Sequence, residues 1–196
     1  MRTEMRGRAR LAWAIAVLIS LAIGGCGSSQ PKSAYTAAEL KAAVKGAPEP
    51  LARLYARGGE LVDGDPAAYK RQIAALHGYP IVVNKWASWC GPCKLEFPIF
   101  QEVVARQGKK VAFLGVDVQD VREDAEEFLK ETPVPYPSFF DPRGKIAELL
   151  PAATDGLPTT SFYDREGTLV YTKPGPYATR AALEKDLAQH AGAPVS

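Results

Sequence analysis

From Val111 to Val118 the chain is almost unbroken apolar sequence, as in a strand covered on both faces. Ile81 to Trp86, rich in β-branched and aromatic residues, predicts a second strand. Between them, Lys94 to about Gln107 reads as a helix that Pro98 should kink. Val121 to Glu131 is acidic in its first half, has Lys130 near its end, and reads as another helix. Pro137 to Phe140 then predicts a short strand, and Pro142 to Leu150 a short helix. Thr159–Tyr163 and Thr168–Lys173 predict a hairpin turned at Asp164-Arg165-Glu166-Gly167. Thr179 caps a closing helix that runs to His190. This order predicts an α/β protein whose mixed sheet carries helices on both faces.

Upstream, the pattern is helical. Thr36-Ala37-Ala38-Glu39 has capping-box spacing and opens a helix to about Lys45. Pro48 to about Leu61 predicts a second helix, and Asp65-Pro66 starts a third over Ala67–Leu76. The first 25 residues differ from all of this. Arg2, Arg6, Arg8 and Arg10 precede an apolar run, Leu11 to Ile23, that ends in Gly24-Gly25-Cys26. A basic start, a short apolar stretch and small residues describe an export signal, and the run is short for a bilayer span. Ile23-Gly24-Gly25-Cys26 also resembles a bacterial lipobox, which implies acylation of Cys26; ordinary cleavage would leave Cys26 a spare thiol. With three cysteines in all, acylation of one removes the odd thiol in an oxidising compartment. The expected organisation is a signal peptide over 1–25, a flexible tether over 26–34, a helical extension over 35–78 and a main domain over 79–192.

Charge narrows the partners. Without residues 1–25 the chain keeps 20 basic and 21 acidic residues, so its net positive charge belongs to the leader. No basic patch or stripe points to nucleic acid.

The candidate chemistry lies in Trp89-Cys90-Gly91-Pro92-Cys93. Two thiols three positions apart can close and reopen a disulfide ring. If Cys90 opens a helix, free N–H groups and the helix dipole favour its thiolate. Pro92 suits a first-turn position. The alternatives are half of a zinc site or a static disulfide. Zinc needs about four ligands, and neither a second CxxC nor a paired His is present, His77 and His190 standing far apart. No metal is therefore expected.

The run from Val83 to Cys93, Glu96 and Pro98 after it, and Leu157-Pro158-Thr159-Thr160 together resemble the thioredoxin-fold oxidoreductases of the TlpA/ResA/DsbE type. The resemblance covers roughly Tyr79 to His190. It implies a thioredoxin-like fold with an inserted β-α unit at Pro137–Leu150. It implies Cys90 as attacking thiolate, Cys93 as resolving thiol, and Pro158 as a cis-proline facing them. Trp89, Gly91, Pro92, Leu157 and Pro158 become candidate client contacts. Glu96 is either an acidic residue at a helix start or an acid/base group for the thiols. Asn84 stands where cytoplasmic thioredoxins carry a buried Asp, and being an amide it cannot accept that proton. Lys85 replaces the more usual aromatic and is expected to be a solvated strand-end residue. Trp86 is expected in the core.

The resemblance implies an extracytoplasmic, lipid-anchored, monomeric reductase at the bacterial cell membrane. Its clients would be exported protein disulfides, including cytochrome c precursors, and its electrons would come from a membrane thiol carrier. No cofactor beyond the Cys90–Cys93 disulfide is expected. Competing readings are an oxidase or isomerase running the other way, or a non-enzymatic lipoprotein that binds a metal or peptide. A peroxidatic enzyme is disfavoured because no Thr-x-x-Cys arrangement is present.

Overall fold

A computed structural model of the chain describes residues 33–150 and 156–193. The leader, Cys26 and the tether up to residue 32 lie outside the described residues. Six strands form one sheet: β1 (Leu61–Asp63), β2 (Ile81–Trp86), β3 (Ala112–Val118), β4 (Ser138–Asp141), β5 (Thr159–Tyr163) and β6 (Leu169–Pro174). Their order is β1-β4-β3-β2-β5-β6, with parallel pairings among the first four and antiparallel pairings of β5 with β2 and with β6. β2 and β3 are buried at every position, as central strands must be, whereas edge strand β6 is only partly covered.

The helices are α1 (Ala37–Val44), α2 (Leu51–Tyr55), α3 (Pro66–Ala74), α4 (Gly91–Gln107), α5 (Arg122–Glu131) and α6 (Arg180–Ala191), with a short 3-10 turn at Ala147–Leu149. Parallel crossovers are right-handed. The chain steps from β2 to β3 to β4 in one direction, which puts α4 and α5 on the same face, and the reverse step from β1 to β2 puts α3 on the other. Local chemistry sets the ends. Thr36 and Glu39 form the expected capping box. Asp65 accepts Ala68 N–H ahead of Pro66, and Thr179 accepts Ala182 N–H. Gly192 closes α6 in the left-handed conformation at φ 63°.

Trp86 on β2, Phe97 on α4 and Phe128 on α5 form an edge-packed aromatic cluster with centroids 4.7–5.5 Å apart. The indole N–H of Trp86 donates to Ser138 Oγ at 3.2 Å, across β3. That reach requires Gly115 beneath it, because a Cβ there would stand 2.0 Å from Ser138 Oγ.

Three expectations need correction. The second helix stops at Tyr55 rather than Leu61, and Leu61–Asp63 pairs with β4, so the segment over 35–78 contributes an edge strand to the sheet. Gly58 and Gly59 end that helix; Leu61-Val62-Asp63 was too short to register as a strand. Between Pro142 and Leu150 only three residues are helical, because Asp141 spends its carboxylate on Lys145, Ile146 and Ala147 N–H groups and makes a tight loop. Nor is the end of the tether loose. The buried amide of Gln101 on α4 donates to Ser33 Oγ at 2.8 Å and to Pro133 O at 2.7 Å, and accepts Ala34 N–H at 3.0 Å. α4 itself continues through Pro98 to Gln107.

Candidate active site

Strand β2 ends at Trp86 and the chain turns through Ala87–Trp89 into α4, with Cys90 as its N-cap. The backbone N–H of Cys93 donates to Cys90 Sγ at 3.2 Å. A sulfur so placed receives a helix-terminal N–H and the positive end of the dipole, both of which favour thiolate over thiol. Cys90 and Cys93 are joined as a disulfide, the oxidised end of their cycle. Cys90 reaches the surface at its edge, while Cys93 is wholly enclosed.

A cleft of about 810 Å³ opens beside Cys90, lined by Lys85, Trp89, Gln119, Arg143, Leu150 and Leu157 among others. Gly91 and Pro92 also face it. Trp89 is 59% exposed and its indole N–H donates to Gln119 O at 3.0 Å. The Leu157-Pro158 peptide is cis. Pro158 is buried, and its carbonyl accepts Gly175 N–H at 2.9 Å. Lys85 is not solvated: it is buried at the cleft's floor, since its strand is central and its neighbours Val116 and Thr159 are both covered. Edge or centre is a property of the sheet, so position at the strand end misled.

On the other face of β2 lie Asn84 and Trp86, with Glu96 of α4 near Asn84. Glu96 is fully enclosed, one helical turn beyond Cys93. Its Oε2 accepts Tyr177 N–H at 3.1 Å. Burial pushes its pKa up to about 8; the Tyr177 N–H, the Asn84 amide and the Lys173 charge pull less strongly the other way. The Asn84 amide acts from nearby without well-formed hydrogen-bond geometry, and Glu96 Oε1, the Asn84 side chain and Thr160 Oγ all lack a donor or acceptor. Asn84 and Thr160 face each other across the β2–β5 ladder. Lys173 holds the loop that presents Tyr177, donating to the carbonyls of Pro174, Gly175 and Pro176. A carboxyl in this setting changes protonation near neutral pH and can exchange a proton with a neighbouring thiol.

Such a CxxC, on a helix start at the carboxyl end of a central strand with a cis-proline beside it, fits thiol–disulfide exchange. The sequence matches the family model described as AhpC/TSA over residues 60–172.

The chain belongs to the AhpC/TSA family.

Within this family it is similar to thiol:disulfide interchange protein CycY of Rhizobium leguminosarum bv. viciae, 33% identical over 64% of this chain and 68% of the relative. It is 32% identical to thiol:disulfide interchange protein DsbE of Escherichia coli K12, over 69% of this chain and 68% of that protein. Among solved structures, DsbF of Mycobacterium tuberculosis (MTB) is similar at a TM-score of 0.53 and 26% identity, covering 58% of this chain and 82% of DsbF. The fold is thioredoxin-like. This AhpC/TSA-family member is a thiol–disulfide oxidoreductase with Cys90 and Cys93 as its CxxC pair.

Several site residues escaped the sequence reading. Ser88, Gln119 and Asp120 hold the loop ahead of Cys90, and Asp117 lies buried beside them. The available signal was Asp117 itself, an acid inside an otherwise apolar strand.

Proposed function

We propose that this oxidoreductase reduces disulfides of exported proteins, Cys90 acting as nucleophile and Cys93 as resolving thiol. The N–H of Cys93 aimed at Cys90 Sγ carries the assignment, because it favours the thiolate of the more accessible cysteine. In the reduced protein, Cys90 thiolate attacks one sulfur of a client disulfide, and the other leaves as a thiolate that takes up a proton. Cys93 then loses its proton, attacks Cys90 Sγ and releases the first client sulfur. The client gains two electrons and the protein returns to the disulfide form. Glu96, enclosed beside the buried Cys93, takes the role of acid/base group for that second proton. Trp89, Gly91, Pro92 and the Leu157-Pro158 backbone border the cleft in which an extended client segment lies.

The leader and the lipobox-like Ile23-Gly24-Gly25-Cys26 support export followed by anchoring through an acylated Cys26, so that the domain works as a monomer outside the cytoplasmic membrane. Electrons come from a membrane thiol carrier, and cytochrome c precursors are the proposed clients.

The test uses the full-length protein. Cys93→Ser should accumulate client–Cys90 mixed disulfides in cells, and Cys90→Ser should abolish both trapping and insulin reduction. A Cys90–Cys93 potential above that of the client disulfides would reverse the proposed direction.

A further inference from the structure

Asp117, near the end of β3, has no exposure to solvent, and neither carboxyl oxygen meets an N–H or O–H donor among the described residues. It shares the α4–α5 face of the sheet with Gly115 and lies opposite Trp86 on β2 and Phe140 on β4. Its neighbour Asp120 has the opposite environment. Asp120 Oδ2 accepts Ser88 N–H, and Oδ1 accepts Ser88 Oγ–H at 2.8 Å and Val121 N–H at 2.8 Å. Next to it, Gln119 adopts φ 52° and its carbonyl accepts the Trp89 indole. The turn after β3 therefore grips both residues that immediately precede Cys90.

The side chains of buried Asp117 and half-buried Asp120 lie within hydrogen-bonding reach of each other, and two carboxyl groups so placed hold only if one keeps a proton. Asp120 accepts three hydrogen bonds, so it is the carboxylate, and the proton belongs to Asp117. We propose that protonated Asp117 is a positioning residue for thiol exchange: it donates a hydrogen bond to Asp120 and so fixes the carboxylate that clamps Ser88 two residues ahead of Cys90. The charged groups around Asp117 are Asp120 from the turn, Arg122 from α5 and Asp141 from β4. Burial first, then Asp120, push its pKa up to about 9, with Asp141 adding to the rise and Arg122 opposing it. Arg122 is divided among Asp63, Glu126, Leu61 O and the ring of Phe140. Asp141 is occupied by the three N–H groups of its loop. When Asp117 loses its proton, two carboxylates face one another and the clamp on Ser88 loosens. The proposal uses exchange at Cys90–Cys93 in either direction, and Glu96 lies apart, against Asn84 and Tyr177.

The experiment compares full-length wild type, Asp117→Asn and Asp117→Ala as the reduced protein reacts with a peptide disulfide from pH 6 to pH 10. Asparagine retains a donor and cannot titrate. The wild-type rate should match Asp117→Asn near neutrality and fall to about one-fifth of it at the alkaline end. The Asp117→Ala rate should lie below both at every pH. The Ser88 backbone amide resonance should titrate with the same midpoint in wild type and stay fixed in Asp117→Asn, a readout independent of turnover. Superimposable pH profiles for wild type and Asp117→Asn, or a Ser88 resonance that titrates equally in both, overturn the proposal.

Discussion

Glu96 Oε2 accepts the backbone N–H of Tyr177 at 3.1 Å, and among the described residues this is the one well-formed hydrogen bond that reaches its carboxyl group. A carboxylate held by one donor in a closed site is poorly stabilised, so its proton is retained to a pKa of about 8. Glu96→Gln removes that titration and keeps the shape. Exchange measured against pH should lose its inflection near 8, and the rate at neutral pH should drop about tenfold or more. An unchanged profile would leave Glu96 with a packing role alone.

The same proton links folding to pH. In the unfolded chain Glu96 titrates near 4.5, and in the folded oxidised protein near 8. Between those values the folded state holds a proton that the unfolded state has released. Stability is therefore fullest below 4.5 and declines as pH rises toward and through 8, on the order of 5 kcal/mol from this group. Asp117 is raised in the same direction and adds to the slope. Denaturant melts of wild type and Glu96→Gln across this range should diverge, with the variant gaining relative stability toward high pH.

The redox centre was legible because its chemistry is local. A CxxC, the strand before it and the helix after it need only neighbouring residues, and the capping residues Thr36, Asp65 and Thr179 are where sequence places them. The contacts that sequence did not reveal span long stretches of chain. Gln101 meets Ser33 from 68 positions away, Ser88 meets Asp120 from 32, and Glu96 meets Tyr177 from 81. No periodicity encodes such pairs. Lys85 was misread for a related reason: β5 covers the end of β2, and a single strand does not announce its neighbour.

Trp89 offers another test, because its exposure and its one hydrogen bond separate docking from stability. The ring stands 59% exposed at the cleft rim, so little of its apolar surface is buried on folding. Trp89→Ala should change the denaturation midpoint only slightly, since a single exposed hydrogen bond is worth about 1 kcal/mol. Client affinity should suffer more, seen as a severalfold higher KM for peptide disulfides. Trp89→Phe, which keeps the ring, should recover most of that loss. Equal loss in both variants would assign the effect to the Gln119 hydrogen bond instead of the aromatic face.

Gly115 makes the most severe packing prediction. A Cβ at this position would lie 2.0 Å from Ser138 Oγ, 2.8 Å from Ser138 Cβ and 2.9 Å from Trp86 Nε1. None of these groups is the free end of a flexible chain; Trp86 is locked by Phe97 and Phe128, and Ser138 sits on a central strand. Gly115→Ala must therefore push β4 away or break the Trp86–Ser138 hydrogen bond, both close to strand β2, which leads into Cys90. Overpacking of this kind costs about 1–3 kcal/mol, and the lost hydrogen bond about 1 kcal/mol more. Thermal melting should fall accordingly. The double variant Gly115→Ala with Ser138→Ala removes the nearest clash, so it should be more stable than Gly115→Ala alone. Absence of that recovery would place the strain on the indole ring, whose shift near-ultraviolet circular dichroism would report.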